Sequence, residues 1–269
     1  MNQNAGLHSD MLIHLPLTGS ETDAPIACGM MGRPSQAQLR RAFTRLELCA
    51  CLAGVALLAA LALPALANNA SRSQTAQCLN NLRLCGRAVQ MWGGDSKDQP
   101  PWRTFFEDGG TRPSGGAFSP GNAWFEYAFM SNEVVTPRIL SCPADMGVKV
   151  AAEFSSDGTR GYMSAGFRAQ ATSYFITLDN PSGVAAWPIF GDRNIRYAGI
   201  TSCVNGINNA DWFNPFVAGN GEWTNAVHGL EGNVVQTDGS VTETTSAQFR
   251  AVFRVGLNDN SSLHFLRAR

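Results

Sequence analysis

The stretch RRAFTRLELCACLAGVALLAALALPALANNA, residues 40–70, is the most informative in the sequence, because no charged residue occurs between Glu47 and Arg72. A helix needs about 20 apolar residues to cross a bilayer, and residues 48–67 meet that requirement. Basic residues precede the run and are scarce after it, so the positive-inside rule predicts a cytoplasmic N-terminus and an external chain beyond about residue 68. The preceding basic residues are Arg33, Arg40, Arg41 and Arg45.

The same stretch also has features of a secretion signal that is cut away. The tripeptide Ala65-Leu66-Ala67 has the small-x-small pattern of a signal peptidase site, and cleavage there would leave Asn68 as the first residue. The apolar part of a secretion signal is usually about 7–15 residues long, and this run is longer. We therefore expect the helix to be retained.

Residues 1–42 precede the run and carry no apolar periodicity, which predicts a disordered leader. The beginning of this segment contains acidic residues but no Lys or Arg, whereas a targeting segment begins with basic residues. A start at Met30 or Met31 would give a short basic leader instead. The expected organisation is this leader, a membrane helix over 43–67 and a globular head over 68–269.

An apolar stripe continues the helical pattern beyond the membrane run. Its members are alternately four and three residues apart, which is the spacing of one helix face. The pattern predicts one helix over about 44–92, apolar all round at first and amphipathic afterwards, with a kink at Pro64 because proline lacks the amide hydrogen. The stripe is Cys78, Leu82, Cys85, Val89 and Trp92, and the residues predicted to lie off it are Asn80, Asn81, Arg83, Arg87 and Gln90.

Short strands and helices are predicted after the long helix. Pro188 should lie at a sheet edge or a bulge, since it cannot donate to a ladder, and Asp238-Gly239 should form a type I′ hairpin turn. A long helix followed by such a mixture is typical of the α+β class. The predicted elements are a loop over 93–122, a helix over 122–131, strands over 138–142, 172–178 and 185–191, a hairpin over 232–244 and a helix over 246–257.

Composition and motifs argue against nucleic-acid binding, nucleotide binding and a structural zinc site. The formal net charge of −1 provides no field that favours nucleic acid, and no phosphate-binding or dinucleotide-binding loop occurs. No Cys-x-x-Cys pair occurs, so a structural zinc site is not expected. The cysteines that follow the apolar run could form up to two disulfides in an oxidising compartment or remain buried thiols. They are Cys78, Cys85, Cys142 and Cys203.

The segment from Arg40 to Glu47, followed by an unbroken apolar run with a late proline, resembles the type IV prepilin processing site. The resemblance implies that a prepilin peptidase cuts between Ala42 and Phe43 and methylates the new amine of Phe43. It also makes Glu47 the acid at the fifth mature position and Pro64 the proline that kinks the helix. Two positions depart from the pattern: Ala42 stands where glycine is usual, and Arg45 where an apolar residue is usual.

Four later segments are similar to segments of a large pilin-like group. QCLNNLR at 77–83 follows the apolar helix, SCPAD lies at 141–145, and GDRN lies at 191–194. HGLEGNVVQTDG at 228–239 has that group's His-x9-Asp-Gly signature, from His228 to Asp238 and Gly239. Their order along the chain implies a pilin-like fold, in which one long N-terminal helix packs on a small antiparallel sheet.

The resemblance assigns roles to several of these residues. It implies that Glu47 pairs with the methylated amine of a neighbouring subunit; the alternatives are a solvated carboxylate or a local pair with Arg45. Cys78 and Cys142 lie in two matching segments, which makes a Cys78–Cys142 bridge the preferred disulfide. Cys85 with Cys203 is a weaker suggestion.

The remaining polar and aromatic candidates have plainer interpretations. We expect Asp238-Gly239 to form a turn and His228 to bond nearby backbone, with ligand contact or catalysis as alternatives. Calcium favours oxygen ligands, and four aspartates could supply them: Asp179, Asp192, Asp211 and Asp238. Several aromatic residues are expected in the core or as loop anchors rather than on a binding surface: Trp187, Trp212, Phe213, Phe216 and Trp223.

The resemblance therefore implies a structural subunit of a type IV pilus-like or type II secretion pseudopilus-like filament, and not an enzyme. Its expected place is the bacterial inner membrane, with the head periplasmic or extracellular. Expected partners are prepilin peptidase and like subunits or other pseudopilins. The rival interpretation is an anchored or secreted module that binds calcium or glycan without polymerising. A tethered hydrolase is a third class, but the sequence contains no nucleophile elbow to support it.

Overall fold

The computed structural model describes residues 43–114, 123–168, 170–180, 184–202 and 208–267, without the side chains of residues 64–70, 201–202 and 208–209. The chain divides into two compact units, Met1–Ala53 and Gly54–Arg269. The described residues form an α+β fold with one long apolar helix and an antiparallel sheet. The α+β prediction is therefore confirmed.

Helix α1 is 50 residues long and runs from Arg45 to Gly94. A capping box starts it, since Thr44 donates from its backbone N (2.9 Å) and its hydroxyl (3.0 Å) to Glu47 Oε2. The Glu47 backbone N donates back to Thr44 Oγ1 at 3.2 Å. The predicted helix is confirmed to within two residues at each end, and it is continuous through Pro64.

The first part of α1, Arg45–Leu63, is long and apolar enough to cross a membrane, and none of it is buried. The predicted apolar stripe is confirmed further along, where Cys78, Leu82 and Cys85 are fully buried and Trp92 is partly buried. The prediction that Asn81 lies off the buried stripe is wrong. Its side chain is buried because its Nδ2 donates to the backbone O of Ser141 at 3.1 Å.

The connection after α1 contains short helical turns. Two 3₁₀ turns, Pro101–Arg103 and Phe106–Asp108, lie within the predicted loop, and helices α2 (Ala123–Phe129) and α3 (Ser131–Val134) cover the predicted helix. The predicted strand over 138–142 is wrong, because Pro137–Leu140 is a 3₁₀ helix. Pro137 fits a first helical position, where no amide hydrogen is needed, and the Thr136 side chain accepts from Arg138 N.

The strands form two antiparallel sheets. Within the described residues the larger sheet has seven strands in the order β4-β5-β9-β1-β2-β7-β8, and β3 pairs with β6 in the smaller one. The register of β2 shifts between Pro188 and Phe190, so the predicted bulge at Pro188 is confirmed. The strands are β1 Tyr174–Thr177, β2 Pro188–Asp192, β3 Ile195–Arg196, β4 Gly199–Ser202, β5 Asn208–Phe213, β6 Glu222–Trp223, β7 Glu231–Gln236, β8 Val241–Thr245 and β9 Leu263–Leu266.

The hairpin β7–β8 is confirmed, but its turn is not of type I′. Gly239 has a φ of 84° and Asp238 is not left-handed, whereas type I′ requires both residues to be so. Gly239 N donates to Gln236 O at 2.9 Å, and the Asp238 carboxylate accepts from Ser240 N at 2.9 Å. The first of these bonds closes a turn of four residues, Gln236 to Gly239, and the bond to the aspartate side chain supports it.

The large sheet is covered on both faces. On one face, here the α1 face, Tyr174, Ile176 and Phe190 pack with the buried stripe of α1 and with α2. On the other, here the α4 face, Phe175, Val234 and Phe265 pack with helix α4, Ser246–Arg254. Neighbouring residues such as Val234 and Val235 join opposite clusters, as the alternation of a strand requires.

Candidate functional site

The four segments that carry the resemblance meet in one place on the α1 face. We refer to their contacting side chains as the junction cluster. Each segment supplies two of its members: Cys78 and Asn81, Cys142 and Asp145, Asp192 and Arg193, and His228 and Asn233.

A disulfide joins Cys78 on α1 to Cys142 beyond the 3₁₀ helix, with the two Cα atoms 5.0 Å apart. The prediction of this bridge is confirmed. The residues are 64 positions apart in sequence, and closing a loop of this length stabilises the fold by about 4 kcal/mol in the chain-entropy model. Cys85 is a buried free thiol rather than a partner for Cys203, which lies outside the described residues.

An ion pair holds the segment after Cys142 to the end of β2. Arg193 Nε lies 2.7 Å from Asp145 Oδ2, and Arg193 Nη2 lies 2.9 Å from Asp145 Oδ1. The Asp145 side chain is buried, and such a two-pronged arrangement is stronger than a single contact. The Cys142 backbone N donates to Ser173 Oγ at 2.9 Å, which ties the same segment to the residue before β1.

Asp192 is completely buried at the end of β2. Its Oδ2 accepts from the backbone N of Asn233 at 2.7 Å and from Asn233 Nδ2 at 2.9 Å. Burial raises the pKa of Asp192 to about 7, although the two bonds from Asn233 act in the opposite direction. This carboxyl therefore takes up a proton near neutral pH, far above the usual range of an aspartate.

His228 lies between the disulfide and Asp192. Its Nε2 is 3.3 Å from Cys142 Sγ and 3.4 Å from Asp192 Oδ2, and its Nδ1 is 3.4 Å from Thr75 Oγ1 on α1. The side chain is only 3% exposed, and burial lowers the pKa of His228. The expectation that His228 bonds nearby backbone is wrong, because its partners are side chains of three distant segments.

The two ends of the His-x9-Asp-Gly signature have separate surroundings. His228 belongs to the junction cluster, whereas the Asp238 carboxylate accepts from the backbone N and hydroxyl of Ser240 in the hairpin turn. Strand β7 begins between them and contributes Asn233 to the cluster. The signature therefore spans one strand and its turn.

The cluster offers no free thiol. Among the described residues, one group of three or more potential metal ligands has its atoms within 4.8 Å of one another, namely Cys78, Cys142 and His228. Both sulfurs are bonded to each other, so neither is a thiolate that could hold a metal or attack a substrate. The arrangement links segments covalently and by hydrogen bonds.

The four aspartates considered for calcium have different partners. Asp179 accepts from His264, and Asp211 pairs with Arg267 at 2.7 Å. The other two, Asp192 and Asp238, bond to Asn233 and Ser240 as described above. Calcium binding was an alternative to the expectation of no cofactor, and it stays untested. Of the aromatic candidates, Trp187, Phe213 and Trp223 are core residues, and Trp212 and Phe216 are partly buried.

The predicted processing and assembly residues lie at the start of α1. Phe43 is exposed just before the helix, and Glu47 completes its capping box. Ala42 and the side chain of Pro64 lie outside the description. A local pair of Glu47 with Arg45 is one of the alternatives, and in the structure Glu47 forms hydrogen bonds with Thr44.

Sequence reasoning assigned no individual role to Thr75, Asn81, Asp145, Arg193 or Asn233. All but Thr75 lie within the quoted segments, so the signal was present without the spatial information needed to connect the residues. Comparison with protein-family models, with curated proteins and with solved structures gave no match.

Proposed function

We propose that this chain is a structural subunit of a filament of the type IV pilus or type II secretion pseudopilus kind. The observation that carries the proposal is α1 itself. At 1.5 Å per residue its 50 residues span about 75 Å, more than twice the length needed to cross a bilayer core. Its first 19 residues are predominantly apolar and are exposed, and its later part carries a buried stripe and a disulfide.

The contrast between the two parts of α1 is what we expect of a helix that lies in a membrane or filament core at its start and against a folded head at its end. Apolar side chains exposed on every side of Arg45–Leu63 need lipid or the same helix of other copies around them. The disulfide and the ion pair of the junction cluster would transmit force between the head and its helix. In this proposal the N-terminus is cytoplasmic, the head is periplasmic or extracellular, and prepilin peptidase cuts before Phe43.

Variants of the capping box test whether Glu47 acts in filament assembly or only caps its own helix. If Glu47 pairs with the amine of a neighbouring subunit, its charge is essential, and both Glu47→Gln and Glu47→Ala should abolish filaments. If Glu47 only caps its own helix, Gln should still accept from Thr44, and Thr44→Ala should be as harmful as Glu47→Ala. We expect Thr44→Ala to leave filaments in micrographs and Glu47→Gln to remove them.

The mature N-terminal residue provides the second measurement. Mass spectrometry of the protein from its host membrane should show N-methylated Phe43. Asn68 at the terminus would support the secreted alternative, and an uncut leader would support a plain anchor. Absence of filaments together with an uncut or Asn68 terminus would overturn the proposal in favour of a binding module that does not polymerise.

A further inference from the structure

Four potential metal ligands of the junction cluster lie close together. His228 Nε2 is 3.3 Å from Cys142 Sγ and 3.4 Å from Asp192 Oδ2. The ligand atoms of Cys78, Cys142 and His228 all lie within 4.8 Å of one another. In a tetrahedral zinc site, bonds of about 2.0–2.3 Å place neighbouring ligand atoms about 3.3–3.8 Å apart. The two distances from His228 therefore match the edges of such a site.

Neighbouring side chains hold the two polar ligands in place. His228 Nδ1 lies 3.4 Å from Thr75 Oγ1, which leaves Nε2 to face the sulfur and the carboxylate. Asp192 Oδ2 accepts twice from Asn233, and Asp192 Oδ1 is buried without a hydrogen-bond partner among the described residues. Histidines and carboxylates that bind metals are almost always oriented by such outer contacts. A buried polar atom without a partner is uncommon in folded proteins, and a cation would give this oxygen one.

In the disulfide-bonded protein the two sulfurs are bonded to each other and do not bind a metal. Reduction by a dithiol adds two electrons and two protons to the bridge and gives two thiols, while the dithiol becomes a cyclic disulfide. The Cα atoms of Cys78 and Cys142 are 5.0 Å apart, so rotation of the side chains can bring the freed sulfurs to the separation of about 3.8 Å that zinc requires. Binding of Zn²⁺ then releases both thiol protons and leaves two thiolate ligands.

A surface cavity of about 520 Å³ gives access to the cluster. Cys142 and Asp145 line it, together with Gln77 and Asn81 of α1. A small reductant can therefore approach the bridge, and a cation can follow it, while α1 stays packed on the sheet. Such an entry path is one of the requirements of a metal site. Asp145 is already paired with Arg193, so the thiolates and Asp192 remain to balance the charge of a cation.

We propose that reduction of the Cys78–Cys142 bridge converts the junction cluster into a zinc site, with the two thiolates, His228 Nε2 and the Asp192 carboxylate as its four ligands. Thiolate and imidazole ligands suit zinc rather than magnesium or calcium, and four ligands complete its tetrahedron. The ligands come from four separate segments, so the lack of a Cys-x-x-Cys pair does not argue against this site. All four belong to one copy of the chain, and the proposal does not rest on filament assembly.

The test uses the full chain in detergent, reduced under nitrogen with a phosphine that is then removed, because a dithiol would itself compete for zinc. Zinc affinity is measured by competition with a chelator of known affinity, and Co²⁺ is the spectroscopic probe for thiolate ligands. The matched control is the reduced double variant Cys78→Ala with Cys142→Ala, which retains every other cysteine of the chain. The disulfide-bonded parent protein is the second control.

The reduced parent protein should bind one zinc ion with a dissociation constant below about 1 μM, as structural zinc sites do. Its Co²⁺ complex should show thiolate-to-metal charge-transfer absorption, and both controls should lack that absorption. His228→Ala should weaken zinc binding at least about tenfold. In case this variant folds poorly, X-ray absorption of the parent zinc complex should show two sulfur neighbours and two nitrogen or oxygen neighbours. A dissociation constant above about 1 μM, equal binding by the double variant, or zinc without sulfur neighbours would overturn the proposal.

Discussion

The two faces of the large sheet are built from different interactions. Both faces have an apolar core, but the α1 face adds to it a disulfide, a buried ion pair and buried carboxyls, whereas the core of the α4 face consists of ten aromatic and aliphatic side chains. The disulfide depends on redox state, and the ion pair and the buried carboxyls depend on protonation. The packing of aromatic rings depends on neither. We therefore expect reductant and pH to change the contribution of the α1 face to stability and to leave that of the α4 face unchanged.

The rings of the α4 face contact one another closely. Phe213 and Phe265 stack with centroids 4.9 Å apart, and Phe253 meets the rings of Phe249 and Trp187 edge-on at 5.0 and 5.3 Å. Such pairs contribute about 0.5–1.5 kcal/mol beyond the area that they bury. The α4 face is thus stabilised by the close packing of its rings and by the apolar surface that they bury.

The largest effect is expected for Phe253→Ala, which removes a fully buried ring from contact with four others. We expect the free energy of unfolding to fall by about 3–5 kcal/mol in denaturant titrations. The loss should be the same with and without reductant and from pH 5 to 8. Phe253→Leu, which retains most of the volume, should cost clearly less. A loss that depends on reductant would contradict the independence of the two faces.

Breaking the disulfide should be the next largest effect, on the α1 face. Cys78→Ala with Cys142→Ala should lower the free energy of unfolding by about 2–4 kcal/mol. A dithiol reductant should destabilise the parent protein by a similar amount and leave the double variant unaffected. Cys49→Ser is the matched control, since Cys49 is exposed and not bonded. If reductant also destabilised the double variant, another disulfide would have to exist.

The sequence predicted the α1 face better than the α4 face. Apolar spacing was enough for the stripe of α1, and the resemblance supplied the disulfide. Neither revealed that Asn81 is buried, since its burial depends on the carbonyl of Ser141, which lies 60 residues away. The strand predicted at 138–142 failed because a proline and a side-chain cap at its start favour a helical turn.

The contacts of His228 show a similar limit. Local sequence identified the residue, but its neighbours come from α1, from the segment after the 3₁₀ helix and from β2. For the α4 face, the sequence predicted only the helix α4, from its periodicity, and an abundance of aromatic residues. Which rings meet is set by strand order, and β9 pairs between β5 and β1, an order that no local pattern encodes.

The third prediction concerns pH and the buried carboxyls of the α1 face. Burial raises the pKa of Asp192 and that of Glu126 to about 7, whereas both are near 4 in an unfolded chain. Between pH 4 and 7 the folded state therefore binds more protons, and these two groups make the protein less stable as the pH rises. His228 acts oppositely below about pH 6.5, because its pKa is lowered by burial.

Asp192→Asn mimics the protonated carboxyl and isolates one contribution. Relative to the parent protein, this variant should gain unfolding free energy as the pH rises from 4 to 7, by at most about 1.4 kcal/mol per pH unit. Above pH 7 the difference should stay constant. Glu126→Gln should show the same trend, and Phe253→Ala should show none. A difference that does not change with pH would mean that Asp192 stays ionised in the folded protein.

The smallest effect is expected for Arg193→Lys, which keeps the charge but loses the two-pronged contact with Asp145. We expect a loss of about 1 kcal/mol that changes little between 0.05 and 0.5 M salt, because the carboxylate is buried and poorly screened. Arg196→Lys is the control: Arg196 is 65% exposed, its contact with Glu222 is single at 3.3 Å, and such pairs contribute little. Equal losses in the two variants would show that the α1 face owes nothing to this ion pair, and that the disulfide and the buried carboxyls distinguish it from the α4 face.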